Sequence, residues 1–233
     1  MRRIATGIAV GTAAFVALHE LGRRWGATHE EVRRPMVGDD ILAAPKGQTT
    51  HAITIEAARV DVWPWIVQMG DHRAGWYTYP WVDRYFWHID NPSAARIVPE
   101  LQSLSVGDIV PDGEPGTAFY RVSAIDPPRT LVLHSTSHVP PALVGRMSVD
   151  WTWAYELRAV DEGTTRLALR VRATFAPWWV RLIYDGIIVP SDFVMARSML
   201  RGIARRAEGR PSRADLRDAA RRNDVSAEMA TKG

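Results

Sequence analysis

Two consecutive segments near residue 150 alternate between apolar and polar residues. Residues 149–159 place Trp151, Trp153 and Tyr155 on one face, and residues 164–175 follow after the turn sequence DEG. A period of two is typical of β-strands, and the turn predicts an antiparallel hairpin. The three aromatic side chains carry about 600 Å² of surface, which is too much to leave in water, so a second layer must cover this face.

The other face of the second strand is strongly basic. Arg166, Arg170 and Arg172 alternate with apolar residues there. The pattern predicts a sheet with one solvated face, on which the three arginines form an outer stripe. A sharper alternative is that the stripe binds anionic lipid headgroups.

The covering layer is predicted from the C-terminal stretch. Pro177 starts this helical stretch and Pro190 interrupts it, and residues 191–208 then have helical periodicity. Ser191 is a good N-cap, with Asp192 in the first turn. One apolar stripe of the predicted helix comprises Phe193, Ala196, Leu200 and Ile203.

The rest of the chain reads as short alternating elements. A strand over 51–57 precedes a helix over 59–69 that ends at Gly70, and a short helix over 80–87 follows. Further strands are predicted at 108–110, 118–126 and 130–137, each followed by Pro or Gly turn signals.

Composition excludes several kinds of function. The 233 residues contain no Cys, so disulfide, zinc–thiolate, iron–sulfur and cysteine-nucleophile chemistry is excluded. The 29 basic residues face 26 acidic ones, and this near balance does not require a nucleic-acid-binding face. No Gly-rich phosphate loop is present, and we expect no cofactor and no metal.

The N-terminus carries an uncharged apolar stretch, Ile4 to Leu18, between two Arg pairs. As a helix its 15 residues would measure about 22 Å, less than the hydrocarbon core of about 30 Å. A single N-terminal membrane anchor of unknown orientation is the leading interpretation. A cleaved signal peptide of a secreted protein and a soluble helix of a cytoplasmic one stay open.

These signals divide the chain into four parts. Residues 1–22 are the hydrophobic segment, anchor or signal, and residues 23–50 a linker that packs partly on the domain. Residues 51–208 form the folded domain, and residues 209–233 a disordered polar tail.

Several segments resemble the SRPBCC superfamily of START-like and polyketide cyclase-like domains, and more narrowly its uncharacterised bacterial branch with an N-terminal hydrophobic segment. The most specific part is the strand followed by VWPWIVQMG. The resemblance rests on RWGATHEEVRRPMVGDD (24–40), ITIEAARVDVWPWIVQMG (53–70), GWYTYPWVDRYF (75–86), ARIVPELQSLSVGDIV (95–110), DWTWAYEL (150–157) and FVMARSMLRGIARRAE (193–208).

The resemblance implies an α+β helix-grip fold, in which a curved antiparallel sheet wraps around a long C-terminal helix. The N-terminal hydrophobic helix would precede it. An apolar cavity between the sheet and the C-terminal helix would bind or transport a small hydrophobic ligand, a lipid or a polyketide-like molecule. The alternative is a polyketide cyclase or aromatase-like enzyme acting in the same cavity, and a third possibility is a self-filled structural domain.

Aromatic and thioether side chains are the expected ligand contacts. Those after the first helix would form the cavity mouth, unless they form a second hydrophobic cluster or rest on a membrane; those near residue 150 would line the cavity, unless they only fill the core. The expected set is Trp65, Trp76, Tyr77, Tyr79, Trp81, Trp151, Trp153, Tyr155, Met195 and Met199.

Catalytic candidates are weak. His88 with Asp83 or Asp90 could transfer a proton on an enolisable substrate. His134 and His138 are four residues apart, which on one strand is about 13 Å and too far to share a metal.

Overall fold

The computed structural model describes residues 16, 19–78, 93–113 and 116–210, and its centre is one antiparallel six-stranded sheet. The strand order is β1-β6-β5-β4-β3-β2. The strands are β1 (Gly47–Ile55), β2 (Ile109–Pro111), β3 (Phe119–Asp126), β4 (Thr130–Ser135), β5 (Ser148–Ala159) and β6 (Thr165–Ala176).

The helices precede β1, follow β1 and follow β6 along the chain. They are α1 (His29–Arg33), α2 (Arg59–Val67), α3 (Val180–Ile183) and α4 (Val189–Ala207), and a π-helical segment, Tyr184–Ile188, joins α3 to α4. Short 3₁₀ turns lie at Pro99–Leu101 and Pro141–Leu143.

One face of the sheet, the inner face, packs against α2 and α4. The main core forms there from Leu131, Tyr155 and Leu169 of the sheet with Ile66 of α2 and Leu200 of α4. The predicted α+β architecture of a curved antiparallel sheet gripping a long C-terminal helix is confirmed. An antiparallel sheet presents alternate residues to each face. Tyr155 of β5 therefore lies in this core, and Trp151 and Trp153 pack against it.

The C-terminal helical stretch runs through Pro190, where an interruption was predicted. Pro190 lies at the first turn of α4, where a missing N–H is tolerated, and the chain is already helical from Val180. The prediction that Ser191 caps a new helix is therefore wrong. Asp192 instead hydrogen-bonds across to β1.

The second face of the sheet, the outer face, is also covered. Met36 lies in a buried cluster with Ala52, Val132, Ala154 and Ala168 of the strands. The Thr28 hydroxyl accepts from the backbone N–H of Glu31 at the start of α1, while the Glu31 carboxylate accepts from the Thr28 N–H. The prediction of a solvated outer face is wrong. Alternation along a strand indicates that the two faces of a sheet differ in polarity, but it does not indicate which segments of the chain cover each face.

The centre of this outer layer is Arg170, which is 2% exposed. Its guanidinium donates to the carbonyl oxygens of Glu31 (2.6 Å) and Arg34 (2.9 Å) and to the Asp39 carboxylate (2.7 Å). Arg166 pairs with Glu31 and Arg172 with Asp39. The predicted basic stripe is therefore an internal network between the sheet and residues 28–39, and it is not a free surface for headgroups.

The predicted N-terminal hydrophobic helix is not supported. Within the described residues, no helix has the length and apolarity needed to cross a bilayer. Residues 1–15, 17 and 18 lie outside the described part, as do the predicted helix over 80–87 and residues 211–233 of the predicted tail.

The Glu31–Arg166 pair predicts a pH-dependent stability. Mainly through the Arg166 hydrogen bond, and despite opposing desolvation, the pKa of Glu31 falls from 4.5 to about 2. Because the folded-state pKa is depressed, the stabilisation is complete above pH 4.5 and is lost as the pH falls toward about 2. Glu31→Gln should lower the free energy of unfolding near neutral pH by up to about 3 kcal/mol.

Urea denaturation of both proteins across this pH range measures the difference. It should shrink steadily below pH 4.5. A difference that stays constant down to the acid limit would show that the carboxylate charge contributes nothing.

Candidate functional site

Four aromatic side chains meet on the inner face, and we call them the aromatic cluster: Trp76, Tyr120, Trp153 and Tyr155. The Trp153 ring centroid lies 5.1 Å from that of Tyr120, 5.6 Å from that of Trp76 and 6.5 Å from that of Tyr155. The rings are tilted or edge-to-face, as aromatic quadrupoles prefer.

Strand register brings the cluster together. Trp153 and Tyr155 alternate inward on β5, beside Leu133 and Leu131 of β4, and Tyr120 comes from β3 on the far side of β4. Trp76 comes from the loop after α2. Sequence-distant segments therefore build one aromatic wall facing α4.

The Tyr155 hydroxyl group is poorly satisfied. Its hydrogen bond is to the Sδ atom of Met199 on α4, at 3.5 Å, and a thioether is a weak acceptor. Burial raises the pKa of Tyr155 well above its ordinary value, so the hydroxyl keeps its proton at neutral pH.

A histidine–carboxylate pair flanks the cluster, formed by Asp112 directly after β2 and His138 in the segment after β4. His138 Nε2 lies 2.9 Å from Asp112 Oδ2, and its Nδ1 lies 2.7 Å from Ser135 Oγ. The His138 ring packs on Tyr120 with centroids 4.7 Å apart. Burial raises the pKa of Asp112, and the His138 hydrogen bond opposes this.

A second pair flanks the cluster at β1, the opposite edge of the sheet. His51 is fully buried, and its Nε2 lies 3.0 Å from Asp192 Oδ2 on α4. The same oxygen accepts from Thr49 Oγ1 at 2.8 Å. The Asp192 carboxyl group therefore holds Nε2, and Nδ1 is the ring nitrogen left without a partner.

The two tyrosines of the cluster lie within the field of both pairs. Burial is the main cause of their raised pKa values, and the charges of Asp112 and Asp192 raise them further. The inner face therefore combines an aromatic wall with a histidine–carboxylate pair on either side.

Three buried polar atoms on this face lack a hydrogen-bond partner: His51 Nδ1, Trp76 Nε1 and Trp151 Nε1. The Trp76 indole N–H lies close enough to Asp112 to lower its pKa, but its geometry falls short of a hydrogen bond. Buried polar atoms are rarely left unpaired, because each costs about 1–3 kcal/mol. The face therefore offers one imidazole nitrogen and two indole N–H groups to a guest molecule.

The structure separates the predicted ligand contacts into groups. Trp76, Trp153, Tyr155 and Met199 come together, whereas Trp151 packs toward Tyr184 in a neighbouring cluster. Trp65 lies edge-on to Tyr77, which hydrogen-bonds Gln68. Met195 is half-buried on α4.

Trp76 and Tyr77 were expected at an open cavity mouth, but both are buried, at 4% and 1% exposure. Gly202 of α4 allows this, because a Cβ there would overlap the Tyr77 carbonyl oxygen. Tyr79, Trp81, Asp83, His88 and Asp90 lie outside the described residues.

His134 and His138 do not share a strand, although the sequence had suggested that they would. β4 ends at Ser135, so His138 turns toward Tyr120 while His134 pairs with Asp150 at 2.6 Å on the opposite side of the sheet. Among the described residues, no group of three His, Asp or Glu side chains could hold a metal.

Sequence reasoning missed five residues of the site: His51, Asp112, Tyr120, His138 and Asp192. One signal was available, since His51 shares the inward alternation of Ile53 and Ile55 in HAITIEA. Asp192 also lies seven residues before Met199, on the helix face that meets the sheet.

The two principal pockets of the described chain lie elsewhere. One, of about 490 Å³, is at the ends of β5 and β6 beside Lys46 and Phe175. The other, of about 610 Å³, lies near Arg34 and Glu156. Trp76, Tyr120 and Tyr155 of the aromatic cluster are at most 4% exposed, so a guest there must displace packed side chains.

Comparison with known proteins finds no matching family model and no matching curated protein. Solved structures with partial likeness include CalU16 from Micromonospora echinospora, which is 18% identical over 78% of this chain and 87% of that chain, with a TM-score of 0.39. DynU16, from the dynemicin biosynthetic locus, is 16% identical over 73% of this chain and 51% of that chain, with a TM-score of 0.41.

A norcoclaurine synthase mutant of Thalictrum flavum, in complex with a transition-state analogue, is 12% identical over 67% of this chain and 93% of that chain, with a TM-score of 0.38. Likenesses at these identities and TM-scores do not indicate a function. The function is therefore inferred from the chain's own side chains.

Proposed function

We propose that this protein binds a small, largely apolar ligand, lipid-like or polyketide-like, between the inner face of the sheet and α4. The observation that supports this most is the set of unpartnered polar atoms beside the aromatic cluster. Ligand sites combine apolar and aromatic walls with a few polar groups that orient the guest. No cofactor is needed for binding of this kind.

A purely structural core would look different. Natural cores satisfy buried polar atoms or replace them with apolar ones, because an orphaned group destabilises the fold. Here the Tyr155 hydroxyl meets only a thioether, and His51 Nδ1 meets no partner. A ligand that bonds these atoms would recover that free energy on binding.

The available atoms also indicate which ligands fit. His51 Nδ1 accepts a hydrogen bond, so it suits a hydroxyl group of the ligand. The indole N–H groups suit a carbonyl or hydroxyl oxygen. The favoured guest is a neutral aromatic or polycyclic molecule that carries at least one hydroxyl.

An enzyme of the cyclase or aromatase type is the second candidate, and the His51–Asp192 pair favours it. Asp192 orients the ring, and Nδ1 could take a proton from the carbon next to a substrate carbonyl. The electron pair would move to the carbonyl oxygen, and an indole N–H could stabilise the enolate there.

Binding should depend on the aromatic cluster. We expect 2-naphthol to bind the wild-type protein saturably and one to one. Trp153→Leu should weaken it about tenfold, because aromatic anchors of this kind contribute about 1.4 kcal/mol or more. Calorimetric titration measures both affinities.

Trp179→Leu is the matched control, since Trp179 is also half-buried but belongs to the neighbouring cluster. Its affinity should match the wild type. Equal weakening by both variants, or no binding by the wild type, would refute the proposed site.

The ligand hydroxyl should matter through His51. Wild-type protein should prefer 2-naphthol over 2-methoxynaphthalene about fivefold, since one hydrogen bond contributes about 1 kcal/mol net. His51→Leu should abolish this preference. His134→Leu, which removes a histidine–carboxylate pair on the other side of the sheet, should keep it. A preference unchanged in His51→Leu would exclude the assigned contact.

The enzyme candidate predicts a different observable. In D₂O, wild-type protein should speed deuterium exchange at the carbon between the carbonyls of ethyl benzoylacetate, and His51→Leu should not. NMR follows the exchange directly. Exchange at the buffer rate with both proteins would leave binding alone as the function.

A further inference from the structure

An apolar surface lies where the C-terminal helical stretch begins. Trp178 is 77% exposed, Leu182 66% and Ile187 59%. Among the exposed positions from 178 to 194, Arg181 is the one that carries a charge. Single exposed apolar residues need no explanation, but a row of large ones along one helix does.

The π-helical segment helps to form this row. Its bonding runs from residue i to residue i+5, which brings Ile187 toward the side of the helix that carries Leu182. Segments of this kind are rare and cluster at functional positions. Trp178, Leu182 and Ile187 together are called the apolar row below.

The start of the described chain adds to the same surface. His19 Nε2 lies 3.1 Å from the Asp185 carbonyl oxygen, and Arg23 pairs with the Asp185 carboxylate at 2.7 Å. Leu21 is 58% exposed beside them. The N-terminal end of the domain is therefore held against the segment that carries the apolar row.

The uncharged stretch Ile4 to Leu18 comes immediately before His19. No spacer separates this stretch from residues fixed to the domain. Whatever apolar phase receives the stretch must lie directly beside the apolar row. A bilayer fits best, because Trp is favoured at the interface between lipid and water.

We propose that the apolar row docks on a lipid bilayer, with Leu182 and Ile187 in the acyl boundary and Trp178 at the headgroups. The domain then rests on the membrane instead of hanging from a flexible tether. Arg181, exposed beside Leu182, would face the headgroups. This inference does not depend on the proposed ligand site.

Site-directed spin labelling tests the docking on the full chain. Because the protein has no cysteine, Leu182→Cys and Ile187→Cys each give one label site, and Val160→Cys, 62% exposed in the β5–β6 turn, is the control. The vesicles contain phosphatidylcholine and phosphatidylglycerol. On bound protein, labels at 182 and 187 should gain oxygen accessibility and lose nickel-chelate accessibility several-fold, while the control label should not change.

Three results would overturn the proposal. Labels at 182 and 187 could stay as water-accessible as the control on bound vesicles, or the protein could fail to bind vesicles. Without lipid, the labels could already be immobile and shielded. Concentration-dependent dipolar broadening would then identify a second copy as the occupant, and its absence would identify the chain's own residues.

Discussion

A single buried guanidinium, that of Arg170, determines how this sheet is used. Taking a charge out of water is costly unless it is paired and hydrogen-bonded, and Arg170 obtains its partners from the carbonyl oxygens and carboxylate of residues 31–39. That segment must therefore lie across the outer face. The network covers this face with polar groups, of which Arg34 Nε, Asp39 Oδ1 and Arg172 Nε have no hydrogen-bond partner, and the inner face packs against α2 and α4.

The two faces then differ in kind. On the outer face, arginines of β6 pair with the carboxylates of Glu31 and Asp39. On the inner face, aromatic rings from β3, β5 and the loop after α2 meet polar atoms without partners. What distinguishes the inner face is that its unpartnered atoms lie beside an aromatic wall, and this combination is the basis for placing a guest there.

Much of the fold could be predicted from sequence because alternation and helical periodicity are local. The strands β5 and β6, the facing of Trp153 and Tyr155, and the covering helix follow from such patterns. Burial of Arg170 could not be predicted, because its partners are more than a hundred residues away in the chain. The same limit hid His51 and Asp192, whose meeting depends on how α4 crosses β1.

Fluorine NMR of protein labelled with 5-fluorotryptophan tests the central claim, that a guest enters the aromatic cluster, most directly. Each tryptophan reports its own surroundings, and substitution of single tryptophans assigns the signals. The account predicts that 2-naphthol shifts the resonances of Trp76 and Trp153 and leaves that of Trp178 in place. Shifts confined to Trp178 or Trp179, with the cluster resonances unmoved at saturation, would contradict it.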